Sequence, residues 1–184
     1  MNAIYAAGLN GEFALEEGTL PWKKNPALQK ECKEDMDFFK QMTLEKAVIM
    51  GFNTFKTLPF PLKKRLNIVI KRNAAPQKIE RTDKNFMFFS SIEQALSALD
   101  FLCPNDIFLI GGKKIFTEAF SKNLVDGIIY ETVFCKSFSD AKVFINRPQN
   151  FSLIDSRKSG ILVFNQYKNL ETPKSQFRTD LQNL

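Results

Sequence analysis

The 184 residues carry 44% hydrophobic and 25% charged side chains, three cysteines and no histidine. A chain of this length and balance buries roughly 70% of the surface it exposes when unfolded, so its core needs neither disulfides nor structural metal. Without histidine, Ser-His-Asp triads, Cys-His nucleophiles and the common zinc clusters are excluded.

One domain is expected over residues 1–168, with a polar tail over 169–184. Cys32, Cys103 and Cys135 are widely spaced and form no CxxC pair, which points to a reduced, cytoplasmic protein with no metal site. The segment Met1–Tyr5 lacks the basic start and long apolar run of a secretory signal. No stretch approaches the roughly 20 apolar residues of a membrane span, so no membrane partner is expected. The 26 Lys and Arg against 20 Asp and Glu leave a net charge of +6. That excess suits an anionic ligand or a lysine-rich solvated surface in equal measure.

Taken in chain order, Ile4–Leu9 is a short apolar run, and a loop then leads to Leu20-Pro21-Trp22. Pro26 suits the first turn of a short helix. Leu28, Cys32, Met36, Phe39 and Met42 recur at three- and four-residue spacing and predict one apolar face of a helix. Ala47–Gly51 reads as a buried strand, followed by a helical turn from Asn53. Leu66–Ile70 and Phe86–Phe89 are further strands, and Ser90 with Glu93 reads as a capping box opening a helix to about Leu99. Ile107–Ile110 is a strand ending at Gly111-Gly112, and Lys113–Ser121 is helical. Ile128–Phe134 and Leu162–Tyr167 are late strands with no helix between them. The alternation predicts an α/β domain around a central, mostly parallel mixed sheet, flanked by helices and closed by an antiparallel C-terminal edge.

Three features carry chemistry. Asp35 has Phe38 and Phe39 as its helical neighbours, so its carboxylate lies either at the edge of a solvated face or in an apolar cleft; Asp37 better fits a solvated acid. Gly111-Gly112, between a strand and a helix, lets a ligand approach the backbone and the unpaired N–H groups of the helix start. With Lys114 in place of the second required glycine, the turn is not a GxGxxG fingerprint. The basic groups Lys63-Lys64-Arg65 and Lys71-Arg72 suit a carboxylate or a phosphate, or else a solvated loop.

In order and spacing, Leu20-Pro21-Trp22, Asp35–Lys40, Val48–Phe55, Pro61–Asn67 and Ile110-Gly111-Gly112 together resemble the dihydrofolate reductase family. The match covers about residues 2 to 168. The resemblance implies hydride transfer from NADPH to C6 of 7,8-dihydrofolate, with a proton delivered to N5. It places Asp35 at the family's acidic position, where the carboxylate binds the pterin amino group and ring N3. Trp22 falls at the tryptophan that positions a water nearby. By the same resemblance, Tyr5, Ala6 and Ala7 line the pterin pocket with backbone, and Met36 and Phe39 form an apolar wall with Leu58 and Leu62 opposite. Ile110 borders that pocket, and Arg65 stands where the substrate's α-carboxylate is held.

The implied cofactor is NADPH. Ala7, Asn53 and Thr54 fall beside it, Lys71 and Arg72 at its 2′-phosphate, and Gly111, Gly112, Lys113, Lys114 and Ile115 along its nicotinamide and pyrophosphate. A small-molecule substrate, no nucleic acid and a monomer are expected.

The departures from the family pattern are specific. Phe52 replaces a basic residue, Ala14-Leu15 stands where Ile-Gly is common, and Phe116 replaces a tyrosine. Lys23–Glu34 is a longer segment than usual. Glu131 occupies the position of a threonine that supports the active-site acid, with Thr132 one residue further on and on the opposite face of the strand. Two alternatives stay open: a related pteridine or flavin-precursor reductase, and a catalytically weak relative binding nucleotide or nucleic acid.

Overall fold

The computed structural model describes residues 1–72 and 86–170. Its main sheet has eight strands in the order β5-β4-β3-β6-β1-β7-β10-β9. These are β1 (Asn2–Gly8), β3 (Ala47–Gly51), β4 (Leu66–Ile70), β5 (Phe86–Phe89), β6 (Ile107–Gly111), β7 (Ile128–Phe134), β9 (Phe151–Ser159) and β10 (Leu162–Asn169). The six from β5 to β7 run parallel, and β10 pairs antiparallel with both β7 and β9. Two short strands, β2 (Glu12–Ala14) and β8 (Val143–Phe144), pair separately. The expected α/β architecture with its antiparallel edge is therefore present.

Each central strand alternates its buried residues between two layers. On one face, Ala3, Ile49, Ile68, Leu109 and Ile129 pack with Ile92, Ala95 and Leu99 of the α3 segment (helix Ile92–Ala98) and with Ile115, Phe116 and Ala119 of α4 (Lys113–Ser121). On the other, Ile4, Val48, Met50, Val69 and Phe108 meet Phe38, Phe39 and Met42 of α1 (Gln29–Thr43) and Phe52 and Phe55 of α2 (Phe52–Thr57). A third cluster joins Trp22, Leu28, Phe134, Phe138, Leu162 and Phe164.

Local expectations shift in three places. The cap of α3 is Ser91, whose hydroxyl accepts from the Gln94 N–H at 3.1 Å, while the Gln94 side chain accepts from the Ser90 N–H at 3.0 Å. The box therefore sits one residue beyond the Ser90–Glu93 pair. The strand β10 takes in Asn169, which pairs with Phe151, and the Leu170 N–H donates to the Asn150 carbonyl at 2.9 Å; residues 171–184 of the expected tail lie outside the described residues. The apolar face of α1 is rotated, because Asp35 rather than Met36 takes the buried position and Met36 is 44% exposed. Hydrophobic periodicity cannot anticipate this, since it assigns every carboxylate to the solvent side.

Candidate active site

Helix α1 starts after the turns Pro21–Lys24 and Pro26–Leu28 and carries Asp35 beneath the sheet. The carboxylate is buried, and that burial pushes its pKa up to about 6. The Thr132 hydroxyl donates to it and, with the Lys23 ammonium nearby, pulls in the opposite direction. Burial wins because desolvation penalises the ionised form more than one hydroxyl restores it. Asp37 is exposed and pairs with Lys33 at 2.5 Å, the ordinary fate of a helix-surface acid.

The acid's hydroxyl partner is Thr132, one residue beyond the position that Glu131 occupies. Thr132 is buried and faces Asp35, whereas Glu131 points to the opposite face and accepts from the Tyr167 hydroxyl at 3.1 Å. Strand register decides this: adjacent residues of β7 occupy opposite faces, so Glu131 and Asp35 do not compete for one site. Tyr5 lies opposite Glu131 in the β1–β7 register and packs its ring edge-on against Phe116 at 5.4 Å. Its side chain therefore belongs to the Glu131 face. The Tyr5 hydroxyl is buried, and that burial with the nearby Glu131 carboxylate raises its pKa.

Trp22, the single tryptophan, is 1% exposed. It stacks on Phe134 at 4.6 Å and meets Phe138 at 5.7 Å. Its carbonyl accepts from the Cys32 thiol, one helical turn before Asp35, at 3.6 Å. Thr132 and Phe134 are successive residues on the same face of β7, so neighbouring positions on one strand hold Asp35 and Trp22.

Phe39, Leu58, Leu62 and Ile110 pack against one apolar cluster, and Ala6 borders the Trp22 cluster. Met36 lies outside these clusters. The loop bearing Leu62 is shaped by Asn67, a residue to which the sequence reading gave no role. Its buried amide accepts from the Leu62 N–H at 3.1 Å and donates to the Leu62 and Arg65 carbonyls, both at 3.0 Å. Only tertiary context marks Asn67, because a lone strand asparagine carries no pattern.

Arg65 is buried and its ring neighbour is Phe39, 5.8 Å from the guanidinium. It donates to the Thr43 hydroxyl at 2.9 Å and to the Lys63 and Lys40 carbonyls at 3.2 and 3.3 Å. These bonds use three of its five N–H groups. No carboxylate among the described residues forms an ion pair with it. Burial lowers its pKa, as expected of a cation without a counter-charge.

At the other edge, the Gly111-Gly112 peptide is cis, and Gly111 has φ +102°. A Cβ on Gly111 would lie 2.7 Å from the Phe116 ring, and one on Gly112 would lie 3.1 Å from the Thr54 hydroxyl. Glycine is thus required to keep the turn flush with α2 and α4. Ile115 is buried against Gly51, where an added Cβ would come within 2.8 Å of it. The Lys113 ammonium donates to the Phe144 carbonyl, and Asn53 is exposed. Ala7 is buried on β1. An open cavity of about 550 Å³ lies between Arg72, Lys113, Lys114, Thr117, Glu118 and Ser121. Arg72 pairs there with Glu118 at 3.3 Å. Lys71 instead sets its ammonium 5.0 Å from the Phe52 ring, and Lys56 approaches the same ring at 5.5 Å. Phe52, in place of a cation, thus gathers two cations around itself.

An open α/β sheet, a glycine turn at the carboxyl end of β6 and a buried acid bonded to β7 define an enzyme that binds its ligands across the strand ends. A family model described as dihydrofolate reductase matches residues 8–168, and the chain belongs to that family of oxidoreductases. Among relatives, the bifunctional dihydrofolate reductase-thymidylate synthase of Paramecium tetraurelia is 34% identical over 116 residues, covering 62% of this chain and 22% of that protein. The chain therefore spans about a fifth of that relative. Dihydrofolate reductase type 8 of Escherichia coli is 31% identical over 141 residues, covering 71% of this chain and 79% of that one. The fold matches a solved dihydrofolate reductase from Enterococcus faecalis complexed with NADP(H) and RAB-propyl, with a TM-score of 0.71 and 20% identity, over 92% of this chain and 96% of that chain.

Proposed function

We propose that the protein reduces 7,8-dihydrofolate to 5,6,7,8-tetrahydrofolate with NADPH. The observation that carries this reading is Asp35, buried on α1, bonded to Thr132 and with its pKa raised to about 6. Two carboxylate oxygens accept from an amino group and a ring N–H lying side by side, which fixes a pterin in the plane of the acid. In a site closed to bulk water, the same charge favours the protonated ring, the form that accepts hydride most readily. The acid and the ring thus share one proton, and the role assigned to Trp22 is to order a water on the route that replaces it.

Arg65 supports a folate over a pteridine lacking a glutamate tail. Its remaining N–H groups have no partner carboxylate among the described residues and suit an α-carboxylate. Phe39, Leu58 and Leu62 supply the apolar slot between the two charged ends.

NADPH, when bound, supplies the hydride. The residues present fit it: Gly112 leaves room against Thr54, the space an added Cβ would take, and Arg72, Lys113 and Lys114 border an open cavity suited to an anionic, nucleotide-sized group. Ala7 and Ile115 would back the nicotinamide side, Asn53 and Thr54 the pyrophosphate, and Lys71 and Arg72 the 2′-phosphate. Two cations there favour a phosphorylated ribose over a bare one.

The test is NADPH oxidation followed spectrophotometrically with dihydrofolate, in the parent and in Asp35→Asn. Clear turnover in the parent and a loss of about 100-fold or more near neutral pH in the variant are expected. A parent without dihydrofolate-dependent oxidation, or an equally active variant, overturns the reading.

A further inference from the structure

Glu12 is a buried carboxylate that the reduction chemistry leaves unused. It lies on β2, in the segment running from β1 to Trp22, and is 4% exposed. Its oxygens accept from the Asn10 N–H at 2.7 Å, the Asn10 side-chain amide at 3.0 Å and the Phe138 N–H at 3.3 Å. Asn10 in turn donates to the Ser137 hydroxyl at 2.9 Å, and the Leu9 N–H donates to the Lys136 carbonyl at 3.1 Å. The segment before Trp22 and the loop after β7 are therefore joined at Glu12. Gly8 makes the join fit, because a Cβ there would lie 2.6 Å from the Glu12 carboxylate and 2.8 Å from the Phe138 ring.

From this join the contacts lead directly to the active site. Phe138, whose N–H is held by Glu12, is buried and packs against Trp22 at 5.7 Å and Phe134 at 6.3 Å. Trp22 is thus enclosed by Phe134, fixed in the sheet, and by Phe138, on a loop held by the Glu12 carboxylate of β2. We infer that Glu12 is a positioning residue for Trp22, acting through Phe138. An N–H bonded to a charged, buried acceptor is held far more tightly than one facing water, and a ring carried on that residue inherits the constraint. The consequence for turnover rests on the reduction proposed above; the geometry of Trp22 does not.

Trp22 is the single tryptophan, so its fluorescence reports on this site alone. The experiment compares the parent, Glu12→Gln, Phe138→Leu and the double variant, with far-UV circular dichroism verifying the fold of each. Glutamine keeps the shape but turns an N–H₂ toward at least one of the N–H groups that the carboxylate accepts. Glu12→Gln is expected to shift Trp22 emission to the red and raise its quenching by acrylamide, and Phe138→Leu to do the same. If the influence passes through Phe138, the double variant shows no further change beyond Phe138→Leu. In turnover, Glu12→Gln lowers kcat by about tenfold and leaves the KM for dihydrofolate within about twofold, because placement rather than binding is lost. A folded Glu12→Gln with parental Trp22 emission and quenching overturns the inference, and so do additive effects in the double variant. A parent without dihydrofolate turnover counts against the reductase reading alone, since the fluorescence decides the positioning by itself.

Discussion

Thr132 donates its hydroxyl to Asp35 from β7, the sixth strand counted from the sheet edge at β5 and about a hundred residues later in the chain than the acid. Both groups are buried, so this bond is the chief polar support of a carboxylate that its surroundings otherwise disfavour. The energetics of the site follow from that balance.

Asp35→Asn is expected to stabilise the protein while disabling it. The folded state raises this pKa from the ordinary 3.8 to about 6. The folded chain therefore binds the proton more tightly than the unfolded chain, and stability attributable to Asp35 falls as pH rises between these values. Above pH 6 the penalty is complete, at roughly 3 kcal/mol for two pH units. Urea unfolding at pH 7.5 should show the variant more stable by about 2 kcal/mol, with the gain vanishing below about pH 4.

Thr132→Val removes the donor that favours the charged acid, so the pKa of Asp35 rises further. The reduction takes up a proton, and turnover is expected to fall as pH rises past the pKa of the acid and ring together. The variant's pH profile of kcat/KM should shift to higher pH by roughly half a unit to one unit, the worth of one hydrogen bond. A shift to lower pH would contradict the bond's assigned direction.

Arg65→Lys separates the two ends of the substrate. Lysine cannot reproduce a planar fork that also reaches Thr43 and two carbonyls. The KM for dihydrofolate should rise by about 30-fold or more, as for loss of a charged hydrogen bond pair, with kcat little changed. A dihydropterin without the glutamate tail should be reduced equally well by variant and parent.

Lys71→Met tests the cation gathered over Phe52. The expected result is a rise in KM for NADPH of about tenfold and none for NADH, since only the former carries the 2′-phosphate. Phe52→Leu should produce a smaller change of the same kind, because it loosens Lys71 and Lys56 without removing their charge. Equal losses with both cofactors would remove Lys71 from the phosphate.

Much of the fold was legible along the chain. The continuous apolar runs Ala47–Gly51, Leu66–Ile70 and Ile107–Gly111 announce buried parallel strands, because both of their faces are covered. The strand β9 was not legible: its residues from Leu153 to Lys158 are exposed, and it is held by backbone pairing to β10 rather than by an apolar pattern. The short strands β2 and β8 likewise depend on each other and carry too few residues for any periodicity to register.

For the site, the order of motifs in the chain determined the family resemblance, the helix bearing Asp35 and the glycine turn, since these are local combinations of residue types. Tertiary structure alone decided that Asp35 rather than Met36 is buried, that Thr132 and not Glu131 meets it, and that Glu12 reaches Phe138 across 126 positions. Each of these turns on which face of a helix or strand lies against a distant partner. A rotation of α1 or a one-residue step along β7 changes the facing side chain without altering any local propensity, so packing settles what patterning leaves open.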